Sequence, residues 1–203
     1  MVAAVALWTL AIPLRLNAAC LGRPLHLRHP TFRQSLESLS MAEPRRAAAR
    51  PALRIEGGRF LIVEARFYDA IGDHLLVGAK RAFEAAGAAC DVVSVEGALE
   101  VPAGMAIALD AAEAAGRAYD GAIALGCVVR GETYHFEIVA GESARALMDM
   151  SVRRKLALGN GILTTDTIAQ AEERADPARS DKGGDAARAA IGLALLKRGV
   201  VSR

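Results

Sequence analysis

The sequence predicts a single α/β domain: an open parallel sheet with helices on both faces. Three observations carry this. Gly121–Val129 is almost wholly apolar, the pattern of a strand covered on both sides by helices. From Arg59 onward, short apolar runs alternate with longer stretches of helical period, as in chains of strand–helix–strand units joined by right-handed crossovers. Apolar residues make up 53% of the 203-residue chain and aromatics only 4%. The core must therefore be built from Ala, Val, Leu and Ile, which suits helices packed on a parallel sheet.

The elements follow in order. Phe60–Ala65 is the first strand. Asp73 is expected to cap a helix whose Leu76, Ala79 and Phe83 share a face, with Gly87 ending it. Asp91–Val95 is the second strand. Pro102 sits near the start of an Ala-rich helix over Ala103–Ala115, closed by Gly116. The third strand runs to Val129 and is followed by a helix from about Phe136 to Arg154. Leu156–Leu163 makes the fourth strand, and Thr167 caps a helix reaching Arg174. A last helix runs from about Asp181 to Arg198, with Lys197 and Arg198 at its negative end.

Residues 1–54 read as an N-terminal extension, and 55–203 as the domain. Val2–Leu14 is apolar but too short to span a bilayer, and Pro13 interrupts it. A secretory signal carries its positive charge ahead of the apolar segment, whereas Arg15, Arg23, Arg28 and Arg33 all follow it. Met41 opens a short basic, Ala-rich lead and is the expected translation start. The net charge of +2 gives no reason to expect nucleic acid or an acidic membrane surface as partner. Cys20, Cys90 and Cys127 are scattered without Cys-x-x-Cys spacing, so no disulfide framework or zinc site is expected, and a reducing cytoplasm is the simpler home.

Chemistry is expected where the strands stop, because ligands of open parallel sheets sit beyond the carboxyl ends of the strands. The four ends are Arg66-Phe-Tyr-Asp69, Glu96-Gly-Ala-Leu-Glu-Val-Pro102, Arg130-Gly-Glu-Thr-Tyr-His135, and Asn160 with Thr164-Thr165-Asp166. All are polar or aromatic and share one edge. One polar loop would mean little, since loops are polar; four together point to a composite site.

Phe67, the Glu96–Pro102 block, Ala124–Glu137, Gly161-Ile-Leu-Thr-Thr165 and Asp181-Lys-Gly-Gly184 resemble the lumazine synthase family in order and spacing, over about residues 55 to 198. The resemblance implies a flavodoxin-like three-layer sandwich with sheet order 2-1-3-4. It implies condensation of 5-amino-6-(D-ribitylamino)uracil with 3,4-dihydroxy-2-butanone 4-phosphate to 6,7-dimethyl-8-ribityllumazine, the penultimate step of riboflavin biosynthesis. No metal or organic cofactor is implied, and riboflavin synthase is the functional neighbour.

Residue by residue, the resemblance assigns proton transfer to His135, whose ordinary pKa near 6.5 suits a shuttle at neutral pH. Phe67 matches the stacking phenylalanine. Backbone groups of Ala98, Leu99, Cys127, Val128 and Val129 are expected to meet the pyrimidine edge and ribityl chain, with Glu100 accepting from ribityl hydroxyls. Arg174 matches the phosphate-binding arginine, and Glu132 and Thr133 the segment whose amides and hydroxyl face the same group. Glu132 departs from the small residue common there, so only its backbone is expected to contribute. Asn160 departs from a common phenylalanine and is expected to bond to the heterocycle rather than stack. Lys182 either adds positive charge near the phosphate or is a solvated lysine at a helix start.

The resemblance also implies a homopentamer with sites between subunits, one contributing Phe67, Glu100 and His135 and the next Asn160 and Arg174. Some members stack twelve pentamers into a 60-subunit shell. The turn Ala175–Asp181 lacks the glycine-rich form of shell-forming members, which favours the pentamer. Two rivals stand beside this reading. A flavodoxin-like binding module would need a Ser/Thr-rich phosphate loop after the first strand, and Arg66-Phe-Tyr-Asp69 is not one. A non-catalytic relative that binds lumazine or riboflavin as carrier or sensor would keep the same pocket.

Overall fold

The computed structural model describes residues 53–199; the expectations for the apolar N-terminal stretch and for a start at Met41 lie outside the described residues. Four strands alternate with helices: β1 (Arg59–Ala65), α1 (Asp69–Ala85), β2 (Ala89–Val95), α2 (Glu100–Ala114), β3 (Gly121–Val129), α3 (His135–Arg154), β4 (Ala157–Thr165), α4 (Ile168–Ala175) and α5 (Lys182–Lys197). The strands form one parallel sheet in the order β2-β1-β3-β4. This is the flavodoxin-like architecture that the alternating pattern and the resemblance lead one to expect.

Period-two alternation along the strands divides the core between the two faces of the sheet. Phe60, Ile62, Ile123, Leu125 and Leu163 pack with Leu75, Phe83, Ala171, Ala187 and Ile191 of α1, α4 and α5. Leu61, Val63, Ala122, Ala124 and Leu158 pack with Val101, Met105 and Leu147 of α2 and α3. Central strands β1 and β3 are buried on both sides, which is why they read as continuous apolar runs. Edge strand β2 is mostly exposed or half-buried and keeps the polar positions Asp91 and Ser94.

Three boundaries differ from expectation, each for a physical reason. Asp73 does not cap α1, which begins at Asp69 with Tyr68 in the cap position. Ile71 and Leu75 continue its buried stripe toward the amino end, and no proline lies between Phe67 and Asp73 to stop it. The Asp73 carboxylate instead pairs with Arg66 at 2.9 Å. The second helix begins at Glu100 rather than Ala103; Pro102 falls in its first turn, where a missing N–H leaves no hydrogen bond unmade. β4 continues to Thr165, because Val128 and Val129 pair with Thr164 and Thr165 across the ladder. Other signals hold: Gly87 and Gly116 take positive φ of 76° and 67° just after their helices, and the Thr167 hydroxyl accepts from Gln170 N–H at 3.2 Å.

Helices α1 and α5 lie backbone to backbone. A Cβ on Gly183 would stand 2.0 Å from the Leu75 carbonyl oxygen, and one on Gly78 2.2 Å from Asp181 Oδ1. The Leu75 backbone cannot yield as a flexible side chain would. Substituting Gly183→Ala is therefore expected to cost about 1–3 kcal/mol or more by overpacking, read as a lower denaturation midpoint in urea; an unchanged midpoint would show that the two helices separate freely.

Candidate active site

The chain leaves β1 toward β2 on one side and returns past it to β3 on the other, so the strand order reverses between β1 and β3. Such a reversal opens a crevice at the carboxyl ends of the two strands. Here the crevice has a further feature. Pairing of β3 with β1 ends at Leu125 opposite Glu64, whereas pairing with β4 continues to Val129 opposite Thr165. Gly126–Val129 thus carry main-chain groups that have no strand partner on the β1 side. Cys127, Val128 and Val129 lie on this overhang, while Phe67 follows the end of β1 with its side chain 72% exposed.

Three of the helices that start at this edge lack side-chain caps. Tyr68, Leu99 and Tyr134 precede α1, α2 and α3 without bonding to their first-turn amides. Helix amino termini carry unpaired N–H groups and partial positive charge, which suits anions and polar ligands. By contrast α4, which follows β4 at the same edge, and α5 are capped by Thr167 and Asp181. Glu100 opens α2 and His135 opens α3. Ala98 is buried and Leu99 partly exposed between β2 and α2.

Glu132, Thr133, Tyr134 and His135 are all exposed, and a Cβ on Gly131 would meet nothing within 4 Å. The loop is held at its base. Arg130 N–H donates to the Thr165 carbonyl at 2.8 Å. The Arg130 guanidinium donates through Nε to Asp166 at 2.9 Å and through Nη1 to Glu137, and it lies over the Phe136 ring 4.2 Å from its centroid. These bonds hold the Glu137 carboxyl below its usual range.

Asn160, Arg174 and Lys182 gather elsewhere, along edge strand β4. A cavity of about 650 Å³ between α3, β4 and α4 is lined by Arg130, Phe136, Asn160, Asp166, Gln170 and Arg174 among others. A second, of about 380 Å³, adjoins it and includes Asn160, Arg174, Lys182 and Asp185. Neither is lined by Phe67, Glu100 or His135. Arg174 donates to the Gln170 carbonyl at 3.0 Å, and among the described residues no carboxylate pairs with it, despite Glu172 and Glu173 beside it in sequence. Lys182 is tied to Asp185 at 2.9 Å. The Asn160 Oδ1 accepts from the Ile162 N–H at 3.0 Å.

A profile of the 6,7-dimethyl-8-ribityllumazine synthase family matches residues 57–198. The chain belongs to the 6,7-dimethyl-8-ribityllumazine synthase family. It is 63% identical over 158 residues to the 6,7-dimethyl-8-ribityllumazine synthase of Methylocella silvestris, covering 78% of this chain and 96% of that one. Identity is 62% to 6,7-dimethyl-8-ribityllumazine synthase 1 of Rhodopseudomonas palustris, covering 78% of this chain and 97% of the relative. It is 61% to the 6,7-dimethyl-8-ribityllumazine synthase of Afipia carboxidovorans, with 78% of this chain and 97% of that one covered.

The structure adds members that the family motifs leave silent. Arg66 bonds to Asp73 and lies 3.2 Å from Asp69 and 3.4 Å from Glu64, whose carboxylate is only 4% exposed and accepts from Ser94 at 2.9 Å. Asp166 and Gln170 join the base of the Arg130 loop to α4, the Gln170 Oε1 accepting from Asp166 N–H at 3.0 Å. Nothing local in the sequence pointed to Asp166, 36 residues from Arg130.

Cys127 sits in this edge yet is poorly suited to nucleophilic work. Burial pushes its thiol up to about 11, partly offset by a hydrogen bond with Thr165, so at pH 8 only about one thiol in a thousand would be thiolate, the reactive form. Native protein treated with iodoacetamide at pH 8 is expected to remain unmodified at Cys127 and to be labelled there after denaturation, as read by peptide mass. Fast labelling of the native protein would show the strand end to be open and the thiol active.

Proposed function

We propose that this chain condenses 5-amino-6-(D-ribitylamino)uracil with 3,4-dihydroxy-2-butanone 4-phosphate to 6,7-dimethyl-8-ribityllumazine, releasing phosphate and water, in the step of riboflavin biosynthesis that precedes riboflavin synthase. The observation that carries it is the unpaired end of β3 leading into an open loop and an uncapped helix that starts at His135. Such an edge offers main-chain donors and acceptors to a flat heterocycle, amides to a phosphate, and a titratable imidazole between them.

In this reading Phe67 stacks on the pyrimidine, and the backbone of Ala98, Leu99 and Cys127–Val129 reads its edge and the ribityl chain. Glu100 accepts from ribityl hydroxyls. Amides of Glu132 and Thr133, the first turn of α3 and the Arg174 fork bind the phosphate; Lys182 adds positive charge nearby. His135 moves protons as the amine adds to the ketone, water leaves and phosphate is expelled. A water-shielded, preorganised set of donors is the main aid to such charge movement, and no cofactor enters the scheme.

The site is completed by a second copy of the chain. Asn160 and Arg174 face the cavities at β4, while Phe67, Glu100 and His135 stand exposed at the ends of β1, β2 and β3, so residues of one protomer serve two half-sites. Apolar side chains left outward on α2 and α3, among them Ile107 at 70% and Val152 at 69% exposure, are surface that self-association would cover. A homopentamer in the cytoplasm fits best. The α4–α5 turn, Ala175–Asp181, lacks the glycine-rich form of shell-forming members, which favours a free ring over a 60-subunit shell. Residues 55–203 form the enzyme domain and 1–54 an extension; among the described residues no helix is long and apolar enough to cross a membrane.

Mixing the protein with both substrates and following the lumazine chromophore tests this directly. Product is expected; tight pyrimidine binding without product would instead mark a carrier or sensor. His135→Ala is expected to lower turnover by roughly 10²- to 10⁴-fold, the span of general acid–base contributions, and a variant as fast as the parent would remove the histidine from the mechanism. Arg174→Ala is expected to raise KM for the butanone phosphate roughly 10- to 100-fold, as loss of a charge-assisted hydrogen bond implies, with a smaller change for the uracil; equal changes would speak against a phosphate role.

A further inference from the structure

The loop from Gly131 to Tyr134 makes almost no contact of its own. Every one of its residues is exposed, Tyr134 supplies no side-chain cap to α3, and Gly131 has open space where a side chain would be. A segment so free loses affinity to ordering entropy when it closes on a small anion. One side chain reaches both of its ends.

We propose that Arg130 is the positioning residue of this loop. It precedes the loop and is fixed to β4 by its own N–H on the Thr165 carbonyl. Its guanidinium crosses the base to Glu137 and Phe136, in the turn of α3 that begins at His135, and to Asp166 on the neighbouring loop. A planar fork with donors on two edges and an aromatic plate beneath it defines both a distance and an orientation, which a lysine ammonium would not. Closing the base of the loop in this way sets where the amides of Glu132 and Thr133 point and where His135 starts its helix. Arg130 acts through these groups and is not assigned to the phosphate, because its Nε and Nη1 serve Asp166 and Glu137 and those two carboxylates offset its charge toward an anion.

This inference rests on the phosphate reading of the Glu132–Thr133 loop given above, and the test separates the two. Steady-state kinetics and inhibition by inorganic phosphate would be measured on the full chain and on Arg130→Gln, Arg130→Lys, Glu137→Gln/Asp166→Asn and, as the reference, Arg174→Ala. Arg130→Gln is expected to raise KM for the butanone phosphate and the inhibition constant of inorganic phosphate by roughly 5- to 50-fold, the scale of a sub-ångström to ångström misplacement. KM for the aminouracil is expected to change less than about threefold, with Arg130→Lys recovering only part of the loss.

The double variant decides between positioning and charge. Glu137→Gln/Asp166→Asn removes the anchors and two negative charges while keeping Arg130. Positioning predicts that phosphate affinity falls as it does in Arg130→Gln; a gain or no change would overturn the proposal, since it would mean that Arg130 serves only as a charge or touches the phosphate itself. Equal rises in both KM values, tracking a lower melting temperature, would also overturn it by reducing Arg130 to a structural part. If Arg174→Ala left phosphate affinity intact, the phosphate reading itself would fall; if that variant behaved as expected and Arg130→Gln did not, only the positioning role would fall.

Discussion

A parallel sheet covered on both faces has nowhere to put a polar side chain except past the ends of its strands. Two buried strand positions depart from that constraint: Thr165, at the very end of β4, whose hydroxyl donates to the Thr167 carbonyl, and the Glu64 carboxylate, which is met by Ser94 and Arg66. An unmet buried carboxylate would be costly, and both partners come from the carboxyl-terminal side of the sheet. The apolar demand of the core therefore does two things at once: it makes β1 and β3 legible as strands and it expels all useful chemistry to one edge. The lengths of the strands then decide the shape of that edge. Because β3 outruns β1 by Gly126–Val129 while staying paired to β4, the crevice has one wall made of main chain, a surface whose donors and acceptors do not change with side-chain substitution.

Close packing behind the edge depends on small residues. Gly159 and Gly161 of β4 and Gly183 of α5 stand where a Cβ would strike Ala186, Leu125 or Leu75 at 2.0–2.8 Å. This packing brings α5 down onto β4 and sets Lys182 and Asp185 beside Asn160 at the same cavity. The aromatic-poor composition is thus part of how the site is placed: large rings between α5 and the sheet would lift the helix and its amino terminus away from the strand.

Most of the fold could be seen in the chain because its signals are local. Gly87 and Gly116 end helices, Thr167 and Asp181 begin them, and the run to Val129 has the composition of a doubly covered strand. Asp73 misled because a capping residue inside a continuing apolar stripe is indistinguishable, by type alone, from a true cap; only the burial of Ile71 and Leu75 separates the two. The residues of the edge were legible through the resemblance and through their places after strands, not through spacing. The Asp166 contact was not legible, since it spans a helix and a strand, and the division of the candidate residues between the β3 end and the β4 side could be expected only through the resemblance. Both arise from tertiary placement, on which sequence distance says nothing.

Asn160 joins these levels. It stands on an edge strand, where a main-chain N–H has no neighbouring strand to take it, and its side chain takes the N–H of Ile162. Within a carboxamide only the oxygen can accept an N–H, so the carbonyl of the Asn160 side chain is oriented along its own strand and the amide NH₂ is turned away from it. What remains for a ligand in either adjoining cavity is chiefly the NH₂ with its two donors, beside one further lone pair on Oδ1. A phenylalanine at this position would offer a face for stacking and leave the Ile162 N–H to water or to a second chain. The asparagine instead satisfies the edge from within and offers hydrogen bonds where a ring would offer area. Under the function proposed above, recognition at this point would rest on hydrogen bonding to the heterocycle and less on its flat surface, a change in kind that follows from one unpaired N–H on an edge strand.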